Sequence, residues 1–400
     1  MKIPGLFFIY IIFCINGSGQ TLASRIDSLM SSFYQPSLPG AVIAVTQYQK
    51  TIFKKSYGVA DLISGKPLTL NDNFNIGSLT KQFTSFALLE LYNQGKLSLD
   101  DTLGKFFKLK PALASIPISR LMDHSSGIPD HYGFTDTNRV KHATDADVLE
   151  AVQLADSLYF ISGTRYRYSN TAYCLLGLLI EKLSGISYPD FLEKWIFKPL
   201  DIQDARIFQM SQTVKRRVTG YDLVEKGKFK KADAGESVFF STEADGGLYI
   251  SMNNYLKWCR AVESGWFSIT PMIKMAWQKH TIIDTLEKLW YGYGWFIRQK
   301  EGTPKVVYHT GSNGGFRSVV FMIPSQDYCI TIFSNRSDID LEALVSRIHN
   351  LLSIPDNSFI KSAPLESFIH SWPIFAPCKE TSSYSTSFRM NLNVKGMVSN

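Results

Sequence analysis

The spacing of apolar positions changes twice along the chain. Residues 24–34 show a weak helical recurrence of Ile26, Leu29 and Phe33, ended by Pro36 and Pro39-Gly40. Ala41 to Val45 and Thr51 to Tyr57 are β-rich runs around Gln47-Tyr48-Gln49-Lys50, which predicts a hairpin. From Ser78 the period becomes helical: Phe83, Phe86, Ala87, Leu88 and Leu91 recur, and Gly95 supplies a stop. Residues 100–237 read mostly as helices and long loops, with helical patterns at Asp145 to Leu154 and Thr171 to Leu183. β character returns from residue 238. A glycine turn, Gly246-Gly247-Leu248-Tyr249, is followed by a strand series at Tyr291 to Ile297, Lys305 to His309, Arg317 to Ile323 and Cys329 to Phe333. Ile339 to Leu352 reads as a closing amphipathic helix. Strands at both ends with helices between predict an α/β fold. Its discontinuous sheet-bearing lobe covers about residues 25–75 and 238–352, and a mostly helical lobe of about 76–237 is inserted in it.

The two ends of the chain differ from this body. Lys2, the apolar run Leu6 to Ile15 and the small residues Gly17-Ser18-Gly19 predict a signal peptide over 1–19, and hence a periplasmic or secreted protein. The run falls short of the ~20 apolar residues that a membrane span needs, so no stable span is predicted after its removal. Lipid anchoring at Cys14 is an alternative, with Phe13 a poor preceding residue for it. Residues 353–400 carry Pro355, Pro364, Pro373 and Pro377 and a Ser/Thr cluster at 381–387, and form a tail outside the domain of 20–352. Trp372 and Phe375 leave docking of that tail open.

Composition excludes several classes. Hydrophobic content of 45% against 19% charged is that of a folded chain rather than a disordered one. The net charge of +7 is scattered, with short clusters such as Lys228-Phe229-Lys230-Lys231, and reads as solvated surface, not as a nucleic-acid face. Cys174, Cys259, Cys329 and Cys378 are far apart and lack Cys-x-x-Cys or histidine spacing, which argues against a zinc site. The first three lie in apolar contexts and read as small buried hydrophobes. Asp123-His124-Ser125-Ser126-Gly127-Ile128-Pro129-Asp130-His131 is turn chemistry. Its two histidines do not complete a metal-ligand set, so they read as polar loop residues.

Three elements carry chemistry. Ser78-Leu79-Thr80-Lys81 opens the helix, which puts Ser78 and Lys81 on adjacent positions one turn apart, ~5–6 Å between Cβ atoms. The lysine can then reach the serine oxygen, and the helix dipole favours negative charge developing there. A second Ser-x-x-Lys, Ser358-Phe359-Ile360-Lys361, lies in the tail without a helix pattern. Tyr168-Ser169-Asn170 precedes the next helix, with Ser251-Met252-Asn253 as a competitor whose polar residues a helix cap also explains. His309-Thr310-Gly311-Ser312 closes a strand and leads into Asn313-Gly314-Gly315-Phe316, where Gly311 lets a ligand lie against backbone.

In this order the elements resemble the serine β-lactamase-like superfamily, in its branch of class C β-lactamases, D-alanyl-D-alanine carboxypeptidases and esterases. Tyr57-Gly58-Val59-Ala60-Asp61, Leu121 to Gly127, Gly246-Gly247-Leu248 and Tyr293-Gly294-Trp295 add to the likeness, over about residues 25–352. The resemblance implies a β-lactamase/transpeptidase-like antiparallel sheet flanked by helices, with the site in a cleft between lobes. It implies Ser78 as nucleophile and Lys81 and Tyr168 as acid–base groups. Asn170, His309, Thr310, Gly311 and Ser312 would bind substrate, and the backbone N–H groups of Ser78 and Ser312 would form an oxyanion hole. A small molecule or short peptide is the implied substrate, and no metal or cofactor is called for. Where the family's third element begins with lysine, this chain has His309, mostly neutral near pH 7. That favours small esters or D-amino-acid peptides and amides. A class C β-lactamase and a non-catalytic binder of cell-wall peptides are the alternatives.

Overall fold

The structure is a computed structural model and describes residues 21–131, 142–232, 241–263 and 270–353. The leader at 1–19, Cys14, the tail from 354 and Ser358 lie outside the described residues. The chain enters through helix α1 (Leu22–Phe33), capped by the Thr21 side chain, and the hairpin β1 (Ala41–Gln47) and β2 (Lys50–Tyr57). A largely helical stretch follows: β3 (Asn73–Asn75), α2 (Thr80–Asn93), α3 (Pro111–Ala114), α4 (Ile118–Met122), α5 (Asp145–Leu154), α6 (Asn170–Ser184) and α7 (Tyr188–Leu192). Short strands β4 (Arg206–Ile207), β5 (Tyr221–Glu225), β6 (Lys228–Lys231) and β7 (Leu248–Ser251) lead to α8 (Met252–Glu263) and α9 (Thr270–Ala276). The chain ends in β8 (Thr281–Asp284), β9 (Leu289–Tyr291), β10 (Phe296–Arg298), β11 (Val306–Asn313), β12 (Phe316–Ile323), β13 (Tyr328–Ser334) and α10 (Leu341–Ser353).

Eight strands form one antiparallel sheet in the order β2-β1-β13-β12-β11-β10-β9-β8. The first hairpin docks on the last strand, so sequence-distant ends close one sheet around the helical insertion. Both faces of the sheet are covered, which explains why its central strands read as near-continuous apolar runs. Alternation then sorts each strand between two cores. Ile43, Val45, Val319, Phe321, Ile330 and Ile332 pack with Ile26 and Met30 of α1 and with Leu344, Val345 and Ile348 of α10. Val42, Ala44, Val320, Met322 and Phe333 pack on the opposite side, with residues of α2, α6 and α8. Each fully buried branched or aromatic side chain contributes about 1.5–3 kcal/mol by leaving water.

Two helices matter for the site. Helix α2 is buried nearly all round: Thr80 to Leu89 and Leu91 are buried, including Lys81, Gln82 and Thr84. Helix α6 starts where the Ser169 hydroxyl accepts the Ala172 N–H, and stops at Gly185 in a left-handed conformation. Three features depart from the sequence reading. Residues 221–231 form a β5–β6 hairpin instead of loop, but its strands are exposed and carry no apolar alternation to reveal it. A small sheet, β3-β7-β4, uses strands of two to four residues, too short to show a period. The run Tyr291 to Ile297 is two strands, β9 and β10, split by a turn at Gly292–Gly294. No helix among the described residues is long and apolar enough to cross a membrane.

Candidate active site

The structure brings the Ser78, Tyr168 and His309 elements together. Ser78 sits in a single tight turn, Gly77–Leu79, that feeds α2. Gly77 is left-handed (φ 51°), and a side chain there would meet the Ser312 backbone nitrogen at 2.7 Å. That contact sets the serine turn directly against β11. A second tie comes from Ser318 of β12, whose hydroxyl donates to the Ile76 carbonyl at 2.6 Å.

Lys81 lies one turn on and is fully buried. Its Nζ is 3.1 Å from Ser78 Oγ, 2.7 Å from Asn170 Oδ1 and 2.6 Å from the Asp245 carbonyl. These partners come from the serine turn, the first residue of α6 and the Gly246-Gly247 turn. The Tyr168 and Tyr173 rings stand 4.9 and 5.3 Å from the same nitrogen. Burial pushes the ammonium down to about 8, opposed chiefly by the charge of Asp245. Two of the three hydrogen-bond partners can only accept. A neutral amine therefore spends its two N–H bonds on Asn170 and Asp245, and its lone pair faces the Ser78 hydroxyl.

His309 lies deeper than the sequence reading placed it. Its ring is 1% exposed. Nδ1 is 2.7 Å from the Thr310 carbonyl and Nε2 is 2.8 Å from the Tyr291 hydroxyl. A carbonyl only accepts, so Nδ1 carries the hydrogen and Nε2 accepts from Tyr291. Burial, with Lys81 nearby, pushes the imidazole down to about 3. The side chain is thus a neutral part of the wall, already bonded at both nitrogens. Thr310 is half-buried, Gly311 is buried and pairs with Ser318, and Ser312 is exposed and pairs with Arg317.

The competing Ser251-Met252-Asn253 is a helix start. The Ser251 hydroxyl accepts the Asn254 N–H, and Asn253 bonds Asn71. Cys174, Cys259 and Cys329 are buried free thiols. Sequence reasoning missed His124 by treating it as a polar loop residue. Its ring is buried, 4.1 Å from the Tyr168 ring and 4.5 Å from Tyr291, and Nδ1 accepts the Ser169 N–H. It thereby supports the Tyr168–Asn170 element from below. His124 has positive φ (59°), rare for a non-glycine residue. Only its place within Leu121 to Gly127 marked it in the sequence. Asp245 was also missed, because its working atom is a backbone carbonyl.

A serine hydroxyl held against a buried, partly neutral amine, in a sheet flanked by helices, is the arrangement of the β-lactamase/transpeptidase fold. The sequence model of the Beta-lactamase family matches residues 22–349, and the chain belongs to that family, whose members are generally serine hydrolases. Protein flp of Staphylococcus aureus (strain MW2) is 26% identical over 344 residues, 81% of this chain and 65% of that protein. The chain thus spans less than two thirds of that relative's length. Penicillin-binding protein 4* of Bacillus subtilis (strain 168) is 25% identical over 299 residues, 72% of this chain and 66% of the relative. Among solved structures, the octameric penicillin-binding protein homologue from Pyrococcus abyssi is similar with a TM-score of 0.69 at 27% identity, covering 83% of this chain and 76% of that one.

Proposed function

We propose that the protein is an exported serine hydrolase that forms an acyl-enzyme at Ser78 and acts on small esters or D-amino-acid peptides and amides. The observation that carries this reading is the bonding of Lys81: of its three partners, only the Ser78 hydroxyl can donate a proton to it. In the first half-reaction Nζ takes the Ser78 proton and Oγ bonds to the substrate carbonyl carbon. The oxyanion develops toward the backbone N–H groups of Ser78 and Ser312. As the C–O or C–N bond to the leaving group breaks, the proton passes from Nζ to that group, with Tyr168 as the second acid–base group. Water then attacks the acyl carbon by the reverse proton path and frees Ser78. Asn170 orients Lys81, while Thr310 and Gly311 offer backbone to the substrate. The reading calls for no metal or organic cofactor.

His309, neutral and bonded inside the protein at both nitrogens, adds no cation to the β11 wall, so the reading does not call for a carboxylate on the substrate. Turnover tests the reading. Purified protein should release many equivalents of chromophore from a chromogenic acetate or butyrate ester or a D-aminoacyl anilide, and fewer from a chromogenic cephalosporin. One equivalent or less from all of them would mean an acyl-ligand binder and not a hydrolase. Cephalosporin turnover exceeding the others would favour the β-lactamase alternative.

A further inference from the structure

Asp145 is buried in the first turn of α5, yet that helix does not need it as a cap. Thr144 and Asp147 already complete a capping box there. The Asp145 carboxyl reaches a segment about a hundred residues away instead. One oxygen accepts the Glu243 N–H at 3.0 Å and the other accepts the Ala244 N–H at 3.2 Å. A buried carboxyl is costly unless it is bonded in this way, so both oxygens are committed to that backbone. The same segment turns two carbonyls toward α2. The Ala244 carbonyl accepts the Thr84 hydroxyl and the Asp245 carbonyl accepts Lys81 Nζ, both at 2.6 Å. Helix α6 closes on the segment at Gly177. A Cβ there would stand 2.5 Å from the Ala244 Cβ and 3.1 Å from Asp145 Oδ2, so any side chain at 177 would push the segment away.

We propose that Asp145 is a positioning residue for acylation: together with Gly177 it clamps the Glu243–Asp245 backbone, so that the Asp245 carbonyl holds Lys81 Nζ against Ser78. This inference rests on the reading of Lys81 as the general base. Asn170 and the Asp245 carbonyl are the two acceptors that leave the amine lone pair for the Ser78 hydroxyl. Moving one of them frees the amine to rotate away from the serine. The clamp asks position 145 for two acceptors at once. An asparagine there offers one, and sets its own N–H against the second backbone N–H. The clamp touches no substrate, so all of its effect on the reaction passes through Lys81.

The test measures kcat/KM for a neutral ester beside hydrogen exchange of the peptide spanning residues 241–247. Asp145→Asn should lower kcat/KM by about ten- to a hundredfold, the scale for misplacing a reacting group by ~1 Å. Exchange within 241–247 should quicken in the same variant. In a Lys81→Met background, Asp145→Asn should change the residual kcat/KM by less than about twofold, since the group it positions is gone. Gly177→Ala covers an Asp145→Asn that fails to fold. It should lower kcat/KM by about tenfold through the same displacement, and adding Ala244→Gly, which removes the nearer contact, should recover most of that loss. An equal loss with and without Lys81 would reduce Asp145 to a structural role and overturn the proposal. Unchanged exchange in Asp145→Asn, or no recovery in Gly177→Ala with Ala244→Gly, would overturn the clamp. If exchange quickens but Lys81→Met itself keeps near wild-type turnover, the base assignment fails while the clamp stands.

Discussion

Lys81 and His309 are two buried bases on opposite walls of one site, and the protein treats them differently. Burial lowers both, the lysine to about 8 and the histidine to about 3. The lysine's partners come from three separate elements, and one of them is the Ser78 hydroxyl. The histidine bonds its own strand and Tyr291, and it meets aromatic rings, with Phe296 at 5.0 Å and Tyr168 at 6.2 Å. Desolvation alone therefore does not make a catalytic base. What distinguishes Lys81 is a set of partners drawn from separate elements, one of which is able to give it a proton. The wall of helix starts keeps a titratable group near working pH, while the β11 wall supplies a fixed, neutral surface.

The largest effect should come from removing the poised base. Lys81→Met should lower ester turnover by ~10²–10⁴-fold, the range for loss of a general acid–base group. The apolar side chain fits a buried site, so thermal unfolding should confirm an intact fold. Turnover within tenfold of wild type would erase the contrast between the walls.

Tyr168 comes next. Tyr168→Phe keeps a ring beside Lys81 and removes only the hydroxyl, so a loss of about a hundredfold in kcat would assign the effect to proton transfer. A loss of less than about threefold would reduce Tyr168 to packing against His124 and the lysine.

On the other wall, the same logic predicts a stability effect. His309→Lys would put an ammonium where both imidazole nitrogens are already bonded inside the protein. Unfolding in denaturant should show a loss of about 3 kcal/mol, the upper part of the usual range for one substitution that buries a polar group without partners. The ratio of kcat/KM for a carboxylate-bearing β-lactam to that for a neutral ester should change little. A several-fold rise in that ratio with stability retained would mean that position 309 opens to the substrate after all.

The smallest effect is an absence. With His309 pushed down to about 3, it gains no proton between pH 5 and 7, and burial holds His124 down as well. Since Lys81 must lose its proton to act, kcat/KM should rise with pH through about 8 and level off above it. A separate inflection near pH 6 that disappears in His309→Gln would place a titrating histidine in the mechanism.

Much of this was legible in the sequence where one period covered a whole element. Helix α5 matches the predicted Asp145 to Leu154, and α6 lies within one residue of Thr171 to Leu183 at each end. Ser78 was found because its motif stood at the switch into α2, which the burial of that helix explains. The exposed β5–β6 hairpin and the short strands of the small sheet offered no period to read. The site was less legible where it depends on backbone or depth. Asp245 acts on Lys81 through a carbonyl that any residue would carry, and the inward turn of His309 depends on Tyr291 two strands away in the sheet.

The mechanism rests on Ser78 being a nucleophile activated by Lys81. Its most direct test is the rate of covalent labelling by a fluorophosphonate, followed by intact mass and located by peptide mass spectrometry from pH 6 to 10. One adduct is expected, on Ser78, absent from Ser78→Ala, with a rate that climbs through about pH 8 in the wild type and loses that climb in Lys81→Met. Labelling that persists in Ser78→Ala, maps to Ser358, or shows the same pH dependence without Lys81 would contradict it.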